Sequence, residues 1–334
     1  MSLFFTHMNS ISVKNLSKKF CVAKRQKGLW GSVKSLVSRE YSTKVALDDI
    51  SFDLKEGELV GYIGPNGAGK STTIKILSGI LVPDGGDVTV LGKTPWKARI
   101  ETVRELGVVF GQRTQLWWDL PVIESYELLK DIYKVSDSSY KTTLELLVEV
   151  LKLSNLLDIP VRNLSLGQRM RCDIAASLLH SPKILFLDEP TIGLDAVSKF
   201  AIRDFIRDLN KEMKVTILLT THDMDDIESL CKRVVILNEG RIFLDGPIEL
   251  LRKNIQPERR LVIDLFNEND SVTDPEAVLI KQESHRVWVR YNPLQTPTCD
   301  LIKRITTTHT IKDLVVENPP IEEIIASFYR DCNL

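Results

Sequence analysis

Over the first 250 residues or so, apolar segments of strand length alternate with longer stretches of helical period, the pattern of an α/β domain with a largely parallel sheet. The segments ELVGYIG (58–64), ILFLDE (184–189), VTILLTTH (215–222) and RVVILNE (233–239) read as strands. In DAVSKFAIRDFIRDL, Ile202, Phe205, Ile206 and Leu209 recur at i, i+3, i+4 and i+7, which predicts a helix laying one apolar face on the sheet, with Asp195 as its N-cap. From about 121 to 180 the strand signal gives way to helical segments, VIESYELLKDIY, TTLELLVEVLKL and RCDIAASLLH, so a helical subdomain is expected between strands. After about residue 255 the pattern changes again. RLVIDLF, VWVRYN and IKDLVVE read as short strands, and PPIEEIIASFY as a proline-started helix with Ile321, Ile324, Ile325 and Phe328 on one face, together a small α+β domain.

Composition narrows the picture. The 334 residues carry 44 basic and 45 acidic side chains, a formal charge of −1, so no overall basic field attracts nucleic acid or anionic lipid. No apolar run approaches the roughly 18–20 residues that span a bilayer, and MSLFFTHMNS lacks the features of a signal peptide, which leads to the expectation of a cytosolic chain. Cys21, Cys172, Cys231, Cys299 and Cys332 are scattered without metal spacing, as suits a reducing compartment.

The chemistry concentrates at strand ends. GPNGAGKS (64–71) follows one predicted strand and precedes the helical TTIKILSGI, the setting of a phosphate-binding loop. Gly64, Gly67 and Gly69 let backbone amides turn inward, with Asn66 between them, and the helix beginning at Lys70, Ser71 and Thr72 adds the positive end of its dipole. Lys70 is placed to reach β and γ phosphates and the Ser71 hydroxyl to ligate magnesium. ILFLDEP ends a buried strand in two carboxylates whose burial is costly without a cation or solvated site. Successive strand residues diverge, so Asp188 can turn to the magnesium and Glu189 to an attacking water as general base. In LSLGQRM, Ser165 and Gln168 have capping-box spacing; the plain reading is a capped helix, and the other is a helix start open to an anion, with Gly167 allowing close approach.

Taken in order, GPNGAGKS, Gln112 after VVFG, LSLGQ, ILFLDEP, GLD at 193–195 and TTHD at 220–223 resemble the nucleotide-binding subunit of ABC transporters, over about residues 10–250. The resemblance implies an ABC-type P-loop NTPase core with an inserted helical subdomain (about 112–180); the small domain at 255–334 lies beyond it and is read as a dimerisation or regulatory module. The resemblance also implies a head-to-tail dimer sandwiching two ATP molecules, in which Ser165, Gly167 and Gln168 of one chain meet the γ phosphate held by the other. It further implies that Gln112 senses magnesium and the attacking water, that Asp195 communicates across the dimer, and that His222 holds the γ phosphate with Glu189. Leu166 departs from the usual central glycine, which stiffens the loop but leaves Ser165 and Gly167 in place.

An adenine-stacking aromatic is harder to assign, because about twenty extra residues separate Phe20 from Tyr41; spacing from the first strand favours Phe20, and spacing to the phosphate loop favours Tyr41. The insert itself, about 21–40, is basic, and Leu29, Val33, Leu36 and Val37 fall on one helical face, consistent either with an amphipathic helix near membrane or permease or with a helix packed on its own domain. Trp117 and Trp118, adjacent in TQLWWDLP, cannot share one narrow buried stripe, and in the family this segment borders the groove that receives a cytoplasmic helix of the permease. At least one is therefore expected to meet that partner, although burial of both within the subunit is the competing reading.

The function expected is an ATP-hydrolysing subunit, with ATP and Mg2+, that dimerises with a second copy or close paralogue. It would act on a separate transmembrane permease from the cytoplasmic membrane face, with no nucleic acid partner, and more as an exporter than an importer. A soluble relative acting in translation or DNA maintenance is the alternative, disfavoured by a single motif set and by the lack of a long coiled coil.

Overall fold

The structure, a computed structural model, describes residues 9–23, 41–111, 113–221, 223–249, 258–267 and 270–317. It divides into two units, Met1–Gly246 and Pro247–Leu334, a few residues earlier than the change of pattern in the sequence. The basic residues and apolar stripe of the insert, at 24–39, and the helix proposed from Pro319 onward lie outside the described residues.

The first unit opens with β1 (Asn9–Ala23) and β2 (Tyr41–Lys55), paired antiparallel from Asn9 opposite Lys55 to Ala23 opposite Tyr41. The first strand runs through Phe20 and Cys21 to Ala23, so a paired ladder brackets the insert. Register shifts between Val13 and Leu16 and again on either side of Lys18 interrupt the two-residue alternation, which hides the length of this strand in the sequence. Next come β3 (Leu59–Ile63), α1 (Lys70–Leu77), β4 (Gly85–Val90), α2 (Arg99–Val103) and β5 (Leu106–Phe110). β4 joins the free edge of β1, completing a three-stranded antiparallel sheet in the order β2-β1-β4.

The helical stretch follows as α3 (Val122–Tyr133), α4 (Asp137–Val150), a 3-10 turn at Val161–Asn163 and α5 (Leu166–Leu178). The chain then returns to the sheet with β6 (Ile184–Asp188), α6 (Ala196–Met213), β7 (Thr216–Thr220), α7 (Met224–Leu230), β8 (Arg233–Asn238) and β9 (Arg241–Pro247). The six-stranded order is β5-β6-β7-β3-β8-β9, and each neighbouring pair from β5 to β8 is parallel. Every residue of β3 and β7 is buried, as is all of β6 except Asp188, so these unbroken apolar runs are covered on both faces. Each buried leucine or isoleucine contributes about 1.5–3 kcal/mol. In α6 the predicted stripe of Ile202, Phe205, Ile206 and Leu209 is buried.

Parallel strands place their carboxyl ends on one edge, and β3 and β6 are separated there only by β7. The glycine-rich loop after β3 and the carboxylate pair ending β6 therefore emerge side by side, where open α/β sheets bind their ligands.

The second unit contains β10 (Arg259–Leu265), β11 (Ala277–Glu283), β12 (Arg286–Tyr291), α8 (Thr298–Thr308) and β13 (Ile311–Glu317), with an antiparallel sheet ordered β11-β12-β10-β13. Leu301 and Ile305 of α8 pack on Leu261, Ile263, Val287 and Val289. β10, β12 and β13 match the segments read as strands. β11 is an edge strand with no buried residue, and α8 ends in three threonines, poor helix formers that dilute its signal.

Candidate nucleotide site

Residues Gly64 to Gly69 turn the chain from β3 into α1. Gly69 caps the helix at φ 111° with no side-chain hydrogen bond, leaving the first-turn amides without a side-chain acceptor. A Cβ on Gly69 would lie 2.6 Å from the Ala46 carbonyl, so the left-handed backbone and the approach of β2 both require glycine there. Tyr62, at the base of the turn, holds Thr73 by a 3.0 Å hydrogen bond, and Thr73 in turn donates to the Gly69 carbonyl. Lys70 is 6% exposed, and its Nζ donates to the carbonyls of Gly64 at 2.6 Å and Pro65 at 3.2 Å, curling the ammonium back over the loop. Burial lowers the Lys70 pKa, while the negative charges of Glu189 and Asp188 pull it back up.

This loop forms one wall of a cavity of about 240 Å3. Asn66, Gly67, Gly69, Lys70, Ser71 and Thr72 line it on the loop side, and Glu189 faces them. Phe20 and Lys44 complete the rim from β1 and β2, where they stand opposite one another in the ladder. Phe20 thus shares the cavity with the loop. The Tyr41 side chain lies outside the described residues. Lys44 and Ala46 went unnoticed in the sequence; their signal is the alternation of β2, legible only once its pairing with β1 across the insert is known.

The carboxylates diverge, but not by the strand alternation expected from ILFLDE: β6 ends at Asp188, and Glu189 lies just beyond it. Thr220 at the end of β7 donates its hydroxyl to Asp188 Oδ1. Glu189 adopts φ 56°, a left-handed conformation that costs a non-glycine residue about 1 kcal/mol or more and turns it out of the strand. Its amide donates to the Thr220 carbonyl at 2.9 Å, which pins the turn. From the other side Gly111, at the end of β5, donates its amide to the Asp188 carbonyl at 2.7 Å. A Cβ on Gly111 would stand 2.1 Å from the Glu189 carbonyl oxygen, so this glycine is where β5 meets the acidic turn. Gln112 and His222 lie outside the described residues.

A buried ion-pair cluster braces the segments flanking position 222. Asp226 is 0% exposed and accepts from Arg203 Nε, from the Thr191 hydroxyl and, at 3.0 Å, from the Thr221 hydroxyl. Arg203 also reaches Asp223 at 3.1 Å, and Lys199 pairs with the same carboxylate. Burial pushes the Asp223 pKa up, but Lys199 and Arg203 outweigh it and leave the carboxyl below its ordinary value. Thr191 follows Glu189 by two residues, so one cluster ties the acidic turn to the end of β7. Sequence pattern could not reveal it, because Arg203 reads as an ordinary polar position beside the apolar stripe of α6.

Ser165 caps α5 with both capping-box bonds present: Gln168 N to Ser165 Oγ at 3.2 Å and Ser165 N to Gln168 Oε1 at 2.9 Å. A Cβ on Gly167 would come within 2.7 Å of Ser198 Oγ, so α5 begins tight against the start of α6. Asp195 caps α6 through Ser198, accepting its amide at 2.9 Å and its hydroxyl at 2.7 Å. These hydrogen bonds hold the Asp195 pKa below the ordinary value. Leu166 reaches Gly193, its Cδ2 3.0 Å from where a Cβ would stand. None of Ser165, Gly167, Gln168 and Asp195 lines the 240 Å3 cavity.

An amide-rich loop, a lysine and a serine beneath it, and paired carboxylates across a parallel sheet edge define a phosphate-loop nucleotide-binding domain. A family model described as ABC transporter matches residues 47–192. The ABC transporter ATP-binding protein NatA of Bacillus subtilis (strain 168) is 33% identical over 64% of this chain and 86% of its own length. The Nod factor export ATP-binding protein I of Rhizobium leguminosarum bv. viciae is 31% identical over 86% of this chain and 91% of its own length. The methionine import ATP-binding protein MetN of Geobacillus kaustophilus (strain HTA426) is 36% identical over 63% of each chain. Among solved structures, the dimeric post-hydrolysis state of an ATP-binding cassette bound to ADP and Pi superposes with a TM-score of 0.59 at 25% identity, over 71% of this chain and 98% of that one. The chain belongs to the ATP-binding proteins of ABC transporters, and it binds and hydrolyses ATP.

Two outcomes follow from the geometry. Gly111→Ala must displace the Glu189 backbone, so ATP hydrolysis, followed by phosphate release, is expected to fall by on the order of 100-fold with ATP binding little changed. Asp226→Ala strands Arg203, which is 7% exposed, without its buried partner; the denaturation midpoint should drop at constant slope, by about 3–5 kcal/mol in stability.

Proposed function

We propose that two copies of this chain assemble head to tail, that each ATP is gripped by the phosphate loop of one copy and closed over by the capped helix start of the other, and that hydrolysis drives export through a separate membrane permease. The observation carrying the dimer is the division of the site: Ser165, Gly167 and Gln168 stand apart from the cavity that holds Lys70, Ser71 and Glu189. A helix start led by a serine can receive an anion, and in this reading that anion is the γ phosphate held in the other copy's cavity.

In this reading Phe20 stacks on the adenine, with Tyr41 as the other candidate. Asn66, Gly67, Gly69 and Thr72 follow the phosphates with backbone and side-chain donors, and Lys70 leaves the Gly64 and Pro65 carbonyls to meet the β and γ phosphates. Hydroxyl and carboxylate oxygens suit a hard cation, so Ser71, Gln112 and Asp188 would hold magnesium, which neutralises charge on the transferring phosphoryl group. Glu189 accepts the proton of the attacking water, with His222 steadying the γ phosphate and Asp195 relaying closure to the opposite site.

Among the described residues no helix is long and apolar enough to cross a membrane. A peripheral subunit on the cytoplasmic face needs a docking site, and a cavity of about 400 Å3, lined by Ile80, Val109, Phe110, Arg113, Gln115 and Tyr133, suits a short helix of the permease. Trp117 is 39% exposed and Trp118 is 50% exposed. Both sit in the turn that follows the cavity-lining Gln115, which supports a role for at least one of them in that contact. Export is favoured over import because the Nod factor export relative aligns over 86% of this chain, into the second unit, whereas the methionine import relative covers 63%.

The assigned base makes the sharpest test. Glu189→Gln should retain ATP affinity and form an ATP-dependent dimer by mass measurement while hydrolysis falls about 100- to 10,000-fold; near-normal turnover would remove Glu189 from this role. Direction is read in inverted membrane vesicles carrying the chain with its permease, where ATP-driven accumulation marks an exporter and ATP-driven loss an importer.

A further inference from the structure

The turn after position 112 is tied to α5 by a carboxylate that the nucleotide cavity does not use. Asp173 is 4% exposed. Its Oδ1 accepts from the Thr114 hydroxyl at 2.8 Å and from the Gln115 amide at 3.0 Å, and its backbone carbonyl accepts from Gln115 Nε2 at 2.7 Å. Thr114 extends the chain of bonds by accepting from the Leu116 amide at 3.1 Å. One helical turn earlier, on the same face of α5, the Arg169 guanidinium lies 5.5 Å from the Trp118 ring centroid. The 113–118 turn is thus fastened at two points along α5, and Ser165 begins that helix two turns before Asp173.

A buried carboxylate at this position is expensive. An apolar residue there would bury without the desolvation cost, so the charge is tolerated only because the turn supplies its hydrogen bonds. Burial pushes the Asp173 pKa up to about 6 in spite of the bonds from Thr114 and Gln115. Thr114, Gln115 and Asp173 also line the 400 Å3 cavity, so the fastening stands in the wall of the groove itself.

We propose that Asp173 is a positioning residue that clasps the 114–116 turn to α5, so that a shift of whatever fills the groove moves the Ser165 end of α5 as one body. The inference rests on the reading of this chain as the engine of a permease seated in that groove. It adds the specific bonds that carry motion from the groove to the serine-led helix start. Asp173 neither lines the nucleotide cavity nor touches a reacting atom, and its effect is on coupling.

The experiment uses the full chain assembled with its permease in membranes and compares ATP hydrolysis with and without the permease. Asp173→Ala should leave the KM for ATP within about twofold of the unaltered protein and reduce permease-dependent stimulation and transport by on the order of tenfold. Asp173→Asn keeps an oxygen at Oδ1 for both donors and should restore coupling. Thr114→Val removes one bond from the turn side at little cost to the fold and should produce a partial loss, which decides the matter if the alanine variant fails to accumulate. Full stimulation in Thr114→Val and Asp173→Ala would overturn the clasp, as would an asparagine variant as defective as alanine. If the unaltered chain is not stimulated by its permease at all, the transport reading fails first and takes the clasp with it.

Discussion

The structure depends on holding positive donors in a place water would otherwise claim. Lys70 is buried at the first residue of α1, above amides that no side chain caps, and its ammonium donates to the Gly64 and Pro65 carbonyls. Such a group is costly unless something negative arrives, and the fold places Glu189 and Asp188 near enough to moderate that cost without filling the cavity. The parallel sheet supplies this arrangement: strands one place apart deliver the loop and the carboxylates to the same edge.

Around that edge the fold spends much of its polar bonding on holding turns rather than strands. Thr220 fixes both Asp188 and the Glu189 amide, Gly111 closes on the Glu189 carbonyl, and the Arg203–Asp226 cluster joins Thr191 to Thr221. α5 presents Ser165 at one end and Asp173 two turns on, so the helix start and the 114–116 turn share a single rigid element. Rigid elements joined by specific bonds are what allow a signal to pass as displacement rather than dissipate in side-chain motion.

Much of the site was legible because its chemistry is local in sequence. The glycine spacing of the loop, the carboxylates ending ILFLDE and the Ser165/Gln168 spacing each lie within a few residues, and the structure contains the loop, the strand end and both capping-box bonds. What escaped depends on pairs far apart in the chain. Lys44 reaches the cavity only because β2 pairs with β1 across the insert, and bulges mask that pairing. Arg203 and Asp226 look like surface residues of separate helices until both are found buried together. In the second unit the exposed edge strand β11 and the threonine-ended α8 carried too weak a pattern to be read, although α8 supplies Leu301 and Ile305 to that core.

The central claim is that neither copy holds a complete site, and mixing two disabled variants tests it most directly. Lys70→Ala removes the phosphate grip of one copy, and Ser165→Arg blocks the closing helix start of the other; each alone should be inactive. Mixed together, the two should recover part of the ATP hydrolysis, because a head-to-tail pair then contains one site with an intact loop and an intact helix start. A mixture as inactive as its components, at concentrations where the two are seen to associate, would contradict the account.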